Sequence, residues 1–537
     1  MFHKGKLAAA FVMAMTLPVG GAAAERCPAS PRFDVVEANV AEVQAAFAER
    51  RLTAVELVQT YLARIEAYDR HRPRLNSVIT VNRQALADAA RLDARYRATG
   101  KLAGPLHGIP VLIKDQIDVA GLPTTLGSVL MKDYVPPRDA SVIARLRAAG
   151  AIILAKTTLG ELGAGDTYGT LFGATRNPYD PLLTAGGSSG GSGAALSANL
   201  GMIAVGQEAF ASIRRPAAWN GIVGMRPSPG LVSRAGAWDG APSPVGQLGP
   251  MARTVTDLAK LLDAMVGEDP EDPSTTSARE RIPPTYTAYL DRKGLEGARI
   301  GVLRTPMGDG SEPQSEDFKQ VTAVFEAAVR DMGASGATMI DIEIPGLLAA
   351  LATRTLDPEG DGAETYFARN PKSPYRSRAD LAGEPDFPNI IGVRRAKYRP
   401  PILAPSTAEN YARYLAARDR LAGELAKVMS DSRLDAIVFK TVEHTATPIR
   451  DGIAPPFVNQ KGATQLNTFL IDPPAISVPA GFTARGKAVG VTLMGPKFSE
   501  GTLIRLAYGY ETAHPHRVSP ASTPELICPH RVDRLVR

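Results

Sequence analysis

Hydrophobic residues along the chain alternate between segments with the helical period and short β-branched runs. Thr53 and Glu56 form a capping box that predicts the start of a helix. The apolar face of that helix comprises Leu57, Val58, Tyr61, Leu62 and Ile65. Further helices are predicted near residues 83–97, 140–148, 254–266, 316–333, 407–429 and 500–512. Strands are predicted at Ser77–Val81, Ile109–Ile113, Ile152–Leu154, Met202–Val205, Ile222–Gly224, Arg299–Leu303, Asp435–Phe439, Ala475–Val478 and Gly490–Met494. Strands separated by helices indicate an α/β layer fold.

Two stretches interrupt this alternation. Residues 268–297 are polar with clustered prolines, which predicts a surface connection. Residues 344–406 mix Pro, Gly, Arg and Asp without a regular period. A long irregular insertion inside a compact domain is usually a functional loop or a lid. We therefore expect residues 344–406 to serve one of these purposes.

Composition and charge are those of a globular protein. The chain has 537 residues, of which 44% are hydrophobic and 22% charged, and these fractions do not indicate disorder. The formal net charge is +6 and the sequence pI is near 9.1. The basic residues are nevertheless interleaved with acids, and no Lys/Arg run of about five to eight residues occurs. We therefore expect no nucleic-acid partner.

The N-terminus has the pattern of a secretory signal peptide. Lys4 and Lys6 precede an apolar run over residues 7–17, and small residues lead to the three alanines at 22–24. This run is too short to span a bilayer, which needs about 20 residues, and no other stretch is long and apolar enough. The sequence predicts that residues 1–24 are removed and that the mature protein is periplasmic or secreted, without a membrane span. A buried or disordered N-terminus is the alternative.

The two cysteines, Cys27 and Cys528, lie near opposite ends of the predicted mature chain. An oxidising compartment favours a disulfide between them, and two unpaired thiols are the alternative. Two cysteines cannot complete a closed zinc site, and the seven histidines lack the spacing of metal ligands. We therefore expect neither a metal nor a cofactor.

The most unusual segment is the glycine-serine run at residues 186–193. A flexible linker fits poorly, because structured-looking sequence flanks the run on both sides. A phosphate-binding loop would require a following G-K-[ST] sequence, which is missing. A nucleophile elbow at Ser188 would need a hydrophobic strand leading into the serine, whereas Pro178 and Pro181 precede it. The run therefore needs a different explanation.

Two further segments carry candidate chemistry. The predicted strand at Ile109–Ile113 runs directly into Lys114. A lysine at the end of a buried strand is partly desolvated, which lowers its pKa and lets the neutral amine act as a base. Downstream, Ser212 follows the predicted strand Met202–Val205 in a loop of mostly small residues.

Together, the three segments resemble the amidase signature family. Ser188 and Ser212 match its glycine-serine loop and a second serine, 24 residues later, that precedes Ile-Arg. The Lys114 segment lies at the expected distance upstream. Supporting matches occur at residues 156–162, 177–180, 249–254 and 474–479. The resemblance spans roughly residues 40–515 and implies one large α/β domain within residues 25–537, with a mixed central sheet of about eleven strands surrounded by helices.

The resemblance also implies a mechanism. Lys114 would be the base that deprotonates Ser188, whose preceding peptide bond is expected to be cis. Ser188 would in turn deprotonate Ser212, the nucleophile, and a covalent acyl-Ser212 intermediate would form. The reaction class is therefore hydrolysis of carboxylic amide bonds.

Residues around the nucleophile are expected to support it. The backbone N–H groups that would form the oxyanion hole belong to Ala209, Phe210, Ala211 and Ser212. Ser189 is expected to help hold the lysine. Glu208 and Arg214 are either supporting charges or an ordinary structural salt bridge.

One departure from the family pattern affects the predicted function. Phe210-Ala211 stands where the family has one or two glycines before the nucleophile, and Gln207-Glu208 replaces its Thr-Asp or Thr-Glu step. Backbone donors do not depend on side chains, so the oxyanion hole survives if these residues tolerate the required backbone angles. A catalytically impaired binding protein is therefore an alternative to the exported amidase.

An aminoacyl-tRNA amidotransferase A-type subunit is a further alternative. The predicted export argues against it, because that subunit works inside the cell. The expected substrate is a small-molecule or peptide amide. The substrate pockets are expected to come from variable loops within residues 344–465. The protein is expected to be a monomer or homodimer.

Overall fold

Strands and helices alternate along the chain as the sequence predicts. The computed structural model describes residues 33–238, 246–358, 363–398 and 405–526. Its strands are β1 (Val78–Val81), β2 (Pro110–Lys114), β3 (Ile152–Thr157), β4 (Tyr168–Gly169), β5 (Gly173–Ala174), β6 (Ile203–Glu208), β7 (Val223–Arg226), β8 (Gln247–Ala252), β9 (Arg299–Leu303), β10 (Thr338–Ile342), β11 (Ala436–Lys440), β12 (Ala475–Phe482) and β13 (Ala488–Met494). Its α-helices are α1 (Val40–Ala48), α2 (Ala54–Arg64), α3 (Ala85–Thr99), α4 (Ser141–Ala148), α5 (Gly190–Ser197), α6 (Arg214–Trp219), α7 (Val255–Met265), α8 (Glu316–Ala334), α9 (Leu347–Leu351), α10 (Ala363–Arg369), α11 (Arg378–Ala382), α12 (Ile391–Tyr398), α13 (Ala408–Asp431), α14 (Ile449–Ile453), α15 (Leu466–Phe469) and α16 (Glu500–Ala513).

Eleven of these strands form one central sheet, which confirms the predicted mixed α/β architecture. Their order is β1-β3-β2-β6-β8-β7-β12-β13-β11-β9-β10. Strand β2 is parallel to β3 and β6, and β9 is parallel to β10 and β11. The other neighbours are antiparallel. Every residue of β2, β3 and β6 is buried, as expected for parallel strands that are covered on both faces.

The capping box at the start of α2 forms as predicted. The Thr53 side chain accepts the N–H of Glu56, and the Glu56 carboxylate accepts the N–H of Thr53 at 2.8 Å. Two orphan donors of the first helical turn are thereby satisfied. No helix of the described residues is long and apolar enough to cross a bilayer.

Two strands of the central sheet, β8 and β10, were not predicted from the sequence. Strand β8 contains Pro250, which has no N–H to donate. Its pairing with β7 begins only at Met251, so the sheet accommodates the proline. Strand β10 is an edge strand with partly exposed residues and lacks the apolar run that marks a buried strand.

The two irregular stretches are more ordered than the sequence predicts. Residues 268–297 contain short 3₁₀ helices at Pro273–Arg281 and Tyr286–Tyr289, and the second buries Tyr286. Residues 344–406 contain helices α9, α10, α11 and α12, which have between 5 and 8 residues each. Such short helices show no recognisable hydrophobic period.

The sheet brings two predicted segments to one edge. Ile113 of β2 pairs in parallel register with Val205 of β6, so the carboxyl ends of both strands lie side by side. Lys114 ends β2, and Glu208 ends β6 immediately before the Ser212 loop. Ligands in α/β sheets commonly bind at the carboxyl ends of strands.

Candidate active site

Lys114 and Ser188 are in direct contact at this edge of the sheet. Lys114 Nζ lies 2.7 Å from Ser188 Oγ and 3.2 Å from the carbonyl oxygen of Gln207. Both Lys114 and Ser188 are fully buried. The structure therefore brings together the base and the relay serine that the resemblance implies.

The glycine-serine loop is held in one conformation by Thr167. The Thr167 hydroxyl donates to the carbonyl of Gly186 at 2.7 Å and accepts the N–H of Gly190 at 3.0 Å. The peptide bond between Gly187 and Ser188 is cis, as expected. A Cβ on Gly187 would lie 2.3 Å from the carbonyl oxygen of Gly165, so only glycine fits there.

A buried ion pair that the sequence analysis missed supports the same loop. Arg215 donates to the carbonyl of Gly187 at 2.6 Å and lies 3.0 Å from Asp166 Oδ1. Both side chains are almost completely buried. Arg214 and Arg215 are adjacent and follow Ser212 closely in the sequence, but only Arg214 was a predicted site residue. Arg215 is the one that contacts the Ser188 loop.

Ser212 follows β6 and meets the Ser188 loop through the backbone. The N–H of Ser189 donates to the carbonyl of Ser212 at 3.0 Å. Ser212 is 8% exposed, whereas Lys114 and Ser188 are 0% exposed. Of the three predicted catalytic residues, Ser212 is therefore the one that solvent or a substrate reaches.

Glu208 shapes the loop that carries Ser212. Its carboxylate accepts the N–H groups of Ile213 and Arg214, both at 2.9 Å, and the Arg214 side chain at 2.7 Å. Glu208 and Arg214 are both fully buried. The pair is thus a structural salt bridge that also turns the chain after Ser212.

The predicted oxyanion donors surround this turn. Among the described residues, no hydrogen-bond acceptor contacts the backbone N–H groups of Ala209, Phe210, Ala211 or Ser212. None of these four described residues has a positive φ. Phe210 and Ala211 therefore meet no conformational penalty where the family pattern has glycines.

Phe210 is anchored on two sides. Its carbonyl accepts hydrogen bonds from Arg214, at 3.3 Å, and from the Thr468 hydroxyl. The guanidinium carbon of Arg354 lies 4.5 Å from the centre of the Phe210 ring. Arg354 belongs to the 344–406 segment, which therefore contacts the loop that carries Ser212.

Ser189 and Ser192 have different surroundings from Ser188. The Ser189 hydroxyl donates to the carbonyl of Gln207 at 3.2 Å, the same carbonyl that Lys114 contacts. Ser189 therefore shares an acceptor with the lysine. The Ser192 hydroxyl pairs with the Thr157 hydroxyl at 2.8 Å.

A second buried lysine lies beside the first. Lys156 Nζ is 3.3 Å from Asp115 Oδ1, and both side chains are fully buried. Burial raises the pKa of Asp115, and Lys156 partly offsets that effect. Because Asp115 follows Lys114 directly, this pair forms part of the electrostatic surroundings of the candidate base.

Some features that the sequence analysis discussed lie outside this site or outside the described residues. Cys27, Cys528 and the segment 1–24 lie outside the described residues. Within the described ranges, no group of three or more His, Cys, Asp or Glu side chains could hold a metal ion. Tyr366, Phe367 and Tyr375 pack with Trp238 in a separate hydrophobic cluster.

Comparison with known proteins identifies the family of the chain. The family model described as Amidase matches residues 56–504, most of the chain. The chain belongs to the amidase family. Its lysine strand, glycine-serine loop and second serine all lie inside the matched region.

Relatives of this chain carry different names. The chain is 36% identical to the A-type subunit of glutamyl-tRNA(Gln) amidotransferase from Thermosynechococcus vestitus, over 90% of this chain and 99% of the relative. The crystal structure of native peptide amidase from Stenotrophomonas maltophilia matches with a TM-score of 0.76 and 35% identity, covering 91% and 99% of the two chains. An amidase family protein from Bacillus anthracis matches with a TM-score of 0.75 and 29% identity, covering 90% and 92%.

Proposed function

We propose that the protein hydrolyses carboxylic amide bonds through a covalent acyl-Ser212 intermediate. The contact of Lys114 Nζ with Ser188 Oγ at 2.7 Å carries this proposal. The backbone bond from Ser189 to Ser212 supports it, because it joins the relay loop to the nucleophile loop.

The proton moves along the three side chains. Neutral Lys114 accepts the proton of the Ser188 hydroxyl, and Ser188 accepts the proton of Ser212 as Ser212 Oγ attacks the carbonyl carbon. The relay then reverses and protonates the leaving nitrogen, the C–N bond breaks, and an acyl ester on Ser212 remains. Water attacks this ester and releases the carboxylic acid.

Backbone donors stabilise the charge that develops during the attack. No acceptor among the described residues contacts the N–H groups of residues 209–212, so these donors are available to the developing oxyanion. One such donor contributes about 3 kcal/mol to lowering the barrier. The Glu208 bonds to Ile213 and Arg214 fix the turn that orients these donors.

The substrate is a small-molecule or peptide amide. The relative from Stenotrophomonas maltophilia is named a peptide amidase, which makes peptide C-terminal amides the first substrates to test. Aryl anilides and fatty amides complete the set. We propose that the enzyme acts as a monomer or homodimer and without nucleic acid.

Location distinguishes this proposal from the amidotransferase alternative. The relative from Thermosynechococcus vestitus is named as a component of glutamyl-tRNA(Gln) amidotransferase. The signal-like sequence of residues 1–24 supports a periplasmic or secreted hydrolase instead. Recovery of the full-length precursor solely from the cytoplasmic fraction of a Gram-negative host would contradict export.

A fluorophosphonate probe tests the chemistry directly. We expect the wild-type protein to be labelled on Ser212, as located by peptide mass spectrometry, and the Ser212→Ala variant to stay unlabelled. The Ser192→Ala variant is the matched control, because Ser192 lies in the same glycine-serine segment but bonds to Thr157. A wild-type protein that folds but neither labels nor hydrolyses any amide would favour the impaired binding protein.

A further inference from the structure

One cation of the 344–406 segment lies against the nucleophile loop. The guanidinium carbon of Arg354 is 4.5 Å from the centre of the Phe210 ring. Phe210 lies two residues before Ser212, and its side chain is partly exposed. The ring therefore supports the guanidinium at the approach to the nucleophile.

A second cation lies against the relay loop. Arg395 of α12 packs on Gly165, since a Cβ on Gly165 would lie 2.8 Å from Arg395 Nη1. Gly165 packs in turn on Gly187, the residue before Ser188. Arg354 and Arg395 thus approach the two loops that carry the serines.

These two guanidinium groups differ from the other arginines of the site. Arg214 is paired with Glu208 and Arg215 with Asp166. Among the described residues, no hydrogen-bond or ion-pair partner contacts the guanidinium of Arg354 or of Arg395. Both side chains are partly exposed, so a ligand can reach them.

The local balance of charge favours an anion. The pairs of Arg214 and Arg215 are neutral as units. Burial lowers the pKa of Arg354 and of Arg395, and the Asp309 carboxylate acts in the opposite direction on both. Asp166, which Arg215 already pairs, also raises the pKa of Arg395. The four arginines Arg214, Arg215, Arg354 and Arg395 therefore face the three carboxylates of Glu208, Asp166 and Asp309, which leaves one net positive charge among these groups.

We propose that the enzyme selects amides that carry a carboxylate and that Arg354, supported on the Phe210 ring, binds this carboxylate. The inference rests on the proposed function, because it assigns a substrate class to the same site. A guanidinium binds a carboxylate through two parallel hydrogen bonds, and Arg395 adds a second positive charge. Phe210 then has a role that a glycine at this position could not perform.

Binding to an inactive variant tests the inference apart from catalysis. The ligands are the mono-anilides of malonic, succinic and glutaric acids, each compared with its neutral carboxamide, and Kd is measured by calorimetry on Ser212→Ala. We expect at least one acid to bind about 10- to 100-fold more tightly than its carboxamide. Adding Arg354→Gln should abolish this preference, Arg354→Lys should retain part of it, and Arg395→Gln should reduce it. Arg413→Gln is the control, because Arg413 is an exposed arginine of α13.

Several outcomes would overturn the inference. The first is that every acid and its carboxamide bind Ser212→Ala with equal Kd values; this result does not depend on whether an Arg354 variant folds. The second is that a folded Ser212→Ala/Arg354→Gln variant keeps the full preference for the acids. Hydrolysis by the wild-type enzyme reports separately on the proposed function. Arg354-dependent binding without any hydrolysis would contradict the proposed function alone. Hydrolysis of acids and carboxamides with equal kcat/KM would contradict the substrate class alone.

Discussion

Arg215 donates a hydrogen bond of 2.6 Å to the carbonyl of Gly187, directly before Ser188. The same guanidinium lies 3.0 Å from Asp166, and both side chains are buried. Thr167 binds the neighbouring carbonyl of Gly186. The position of Ser188 beside Lys114 therefore depends on Arg215 and Thr167 as well as on the lysine.

Removing Arg215 should damage both stability and turnover. Arg215→Ala leaves Asp166 buried without its cation, and breaking a buried pair in this way costs about 3–5 kcal/mol of unfolding free energy. Urea unfolding should show this loss, and kcat should fall because the Gly187 carbonyl loses its donor. Arg485→Ala, at an exposed position, should change neither quantity. An Arg215→Ala variant with wild-type stability and kcat would refute the structural role assigned to this pair.

Catalysis should depend on Lys114 and Ser212 far more than on neighbouring serines. Ser212→Ala removes the attacking oxygen and Lys114→Ala removes the base, so we expect each to lower kcat by about 10⁴-fold or more. Ser192→Ala should keep most activity, because Ser192 bonds to Thr157. Steady-state rates on the best amide of the substrate screen measure all three effects. Near-normal turnover by Ser212→Ala would end the proposed mechanism.

The pH profile should rise from acidic to alkaline conditions. Only the neutral amine of Lys114 can accept the Ser188 proton, so protonation at low pH stops the relay. Measurement of kcat/KM between about pH 4 and 9 should show a rate that rises with pH. A maximum below about pH 5 is incompatible with a lysine base.

Much of the fold could be predicted because its strands are buried and apolar. The run before Lys114 predicted β2 to within a residue, since a continuous β-branched segment has few other uses. Strand β8 was not predicted because Pro250 interrupts its sequence pattern. The sheet tolerates this proline because β8 pairs with β7 only from Met251 onwards. Sequence periodicity does not encode such pairing.

The site could be predicted where a residue carries the chemistry itself. Lys114, Ser188 and Ser212 were predicted together, because their three segments jointly resemble the amidase signature pattern, although Ser212 is not distinctive on its own. Asp166 and Thr167 act through the Ser188 loop from a distant part of the chain, and nothing in their local sequence marks them. Arg215 carried a weak signal, as the second of two arginines after the nucleophile, but its target in the other loop follows only from the tertiary structure.

The unfolding free energy should depend on pH through Asp257. Burial raises the pKa of this α7 residue to about 6 from 3.8, although its carboxylate accepts the N–H of Val40. The folded state therefore binds the proton more tightly than the unfolded state. The resulting stabilisation is complete below the unfolded pKa and is lost as the pH rises through about 6, a change of about 3 kcal/mol.

Asp257→Asn should remove this contribution. Urea unfolding at about pH 4 and pH 7 should show a smaller pH-dependent loss of stability in Asp257→Asn than in the wild-type protein. Asp133→Asn, at an exposed position outside the helices and strands, should leave the wild-type dependence intact. Equal pH dependence in the Asp257→Asn and wild-type proteins would mean that this carboxyl does not titrate in the window.

Cys27 and Cys528 provide a prediction about the ends of the chain. Both lie outside the matched family region of residues 56–504, where a bond between them would fasten two terminal segments that are usually poorly ordered. Protein recovered from the periplasm of an expression host should therefore contain no free thiol under denaturing conditions before reduction and two after it. In the chain-entropy model, a bond that closes so long a loop stabilises the folded state by more than ~4 kcal/mol, and this value is an upper bound. The Cys27→Ser/Cys528→Ser variant should therefore unfold at a lower urea concentration. Two free thiols in that unreduced protein would show that the predicted disulfide does not form.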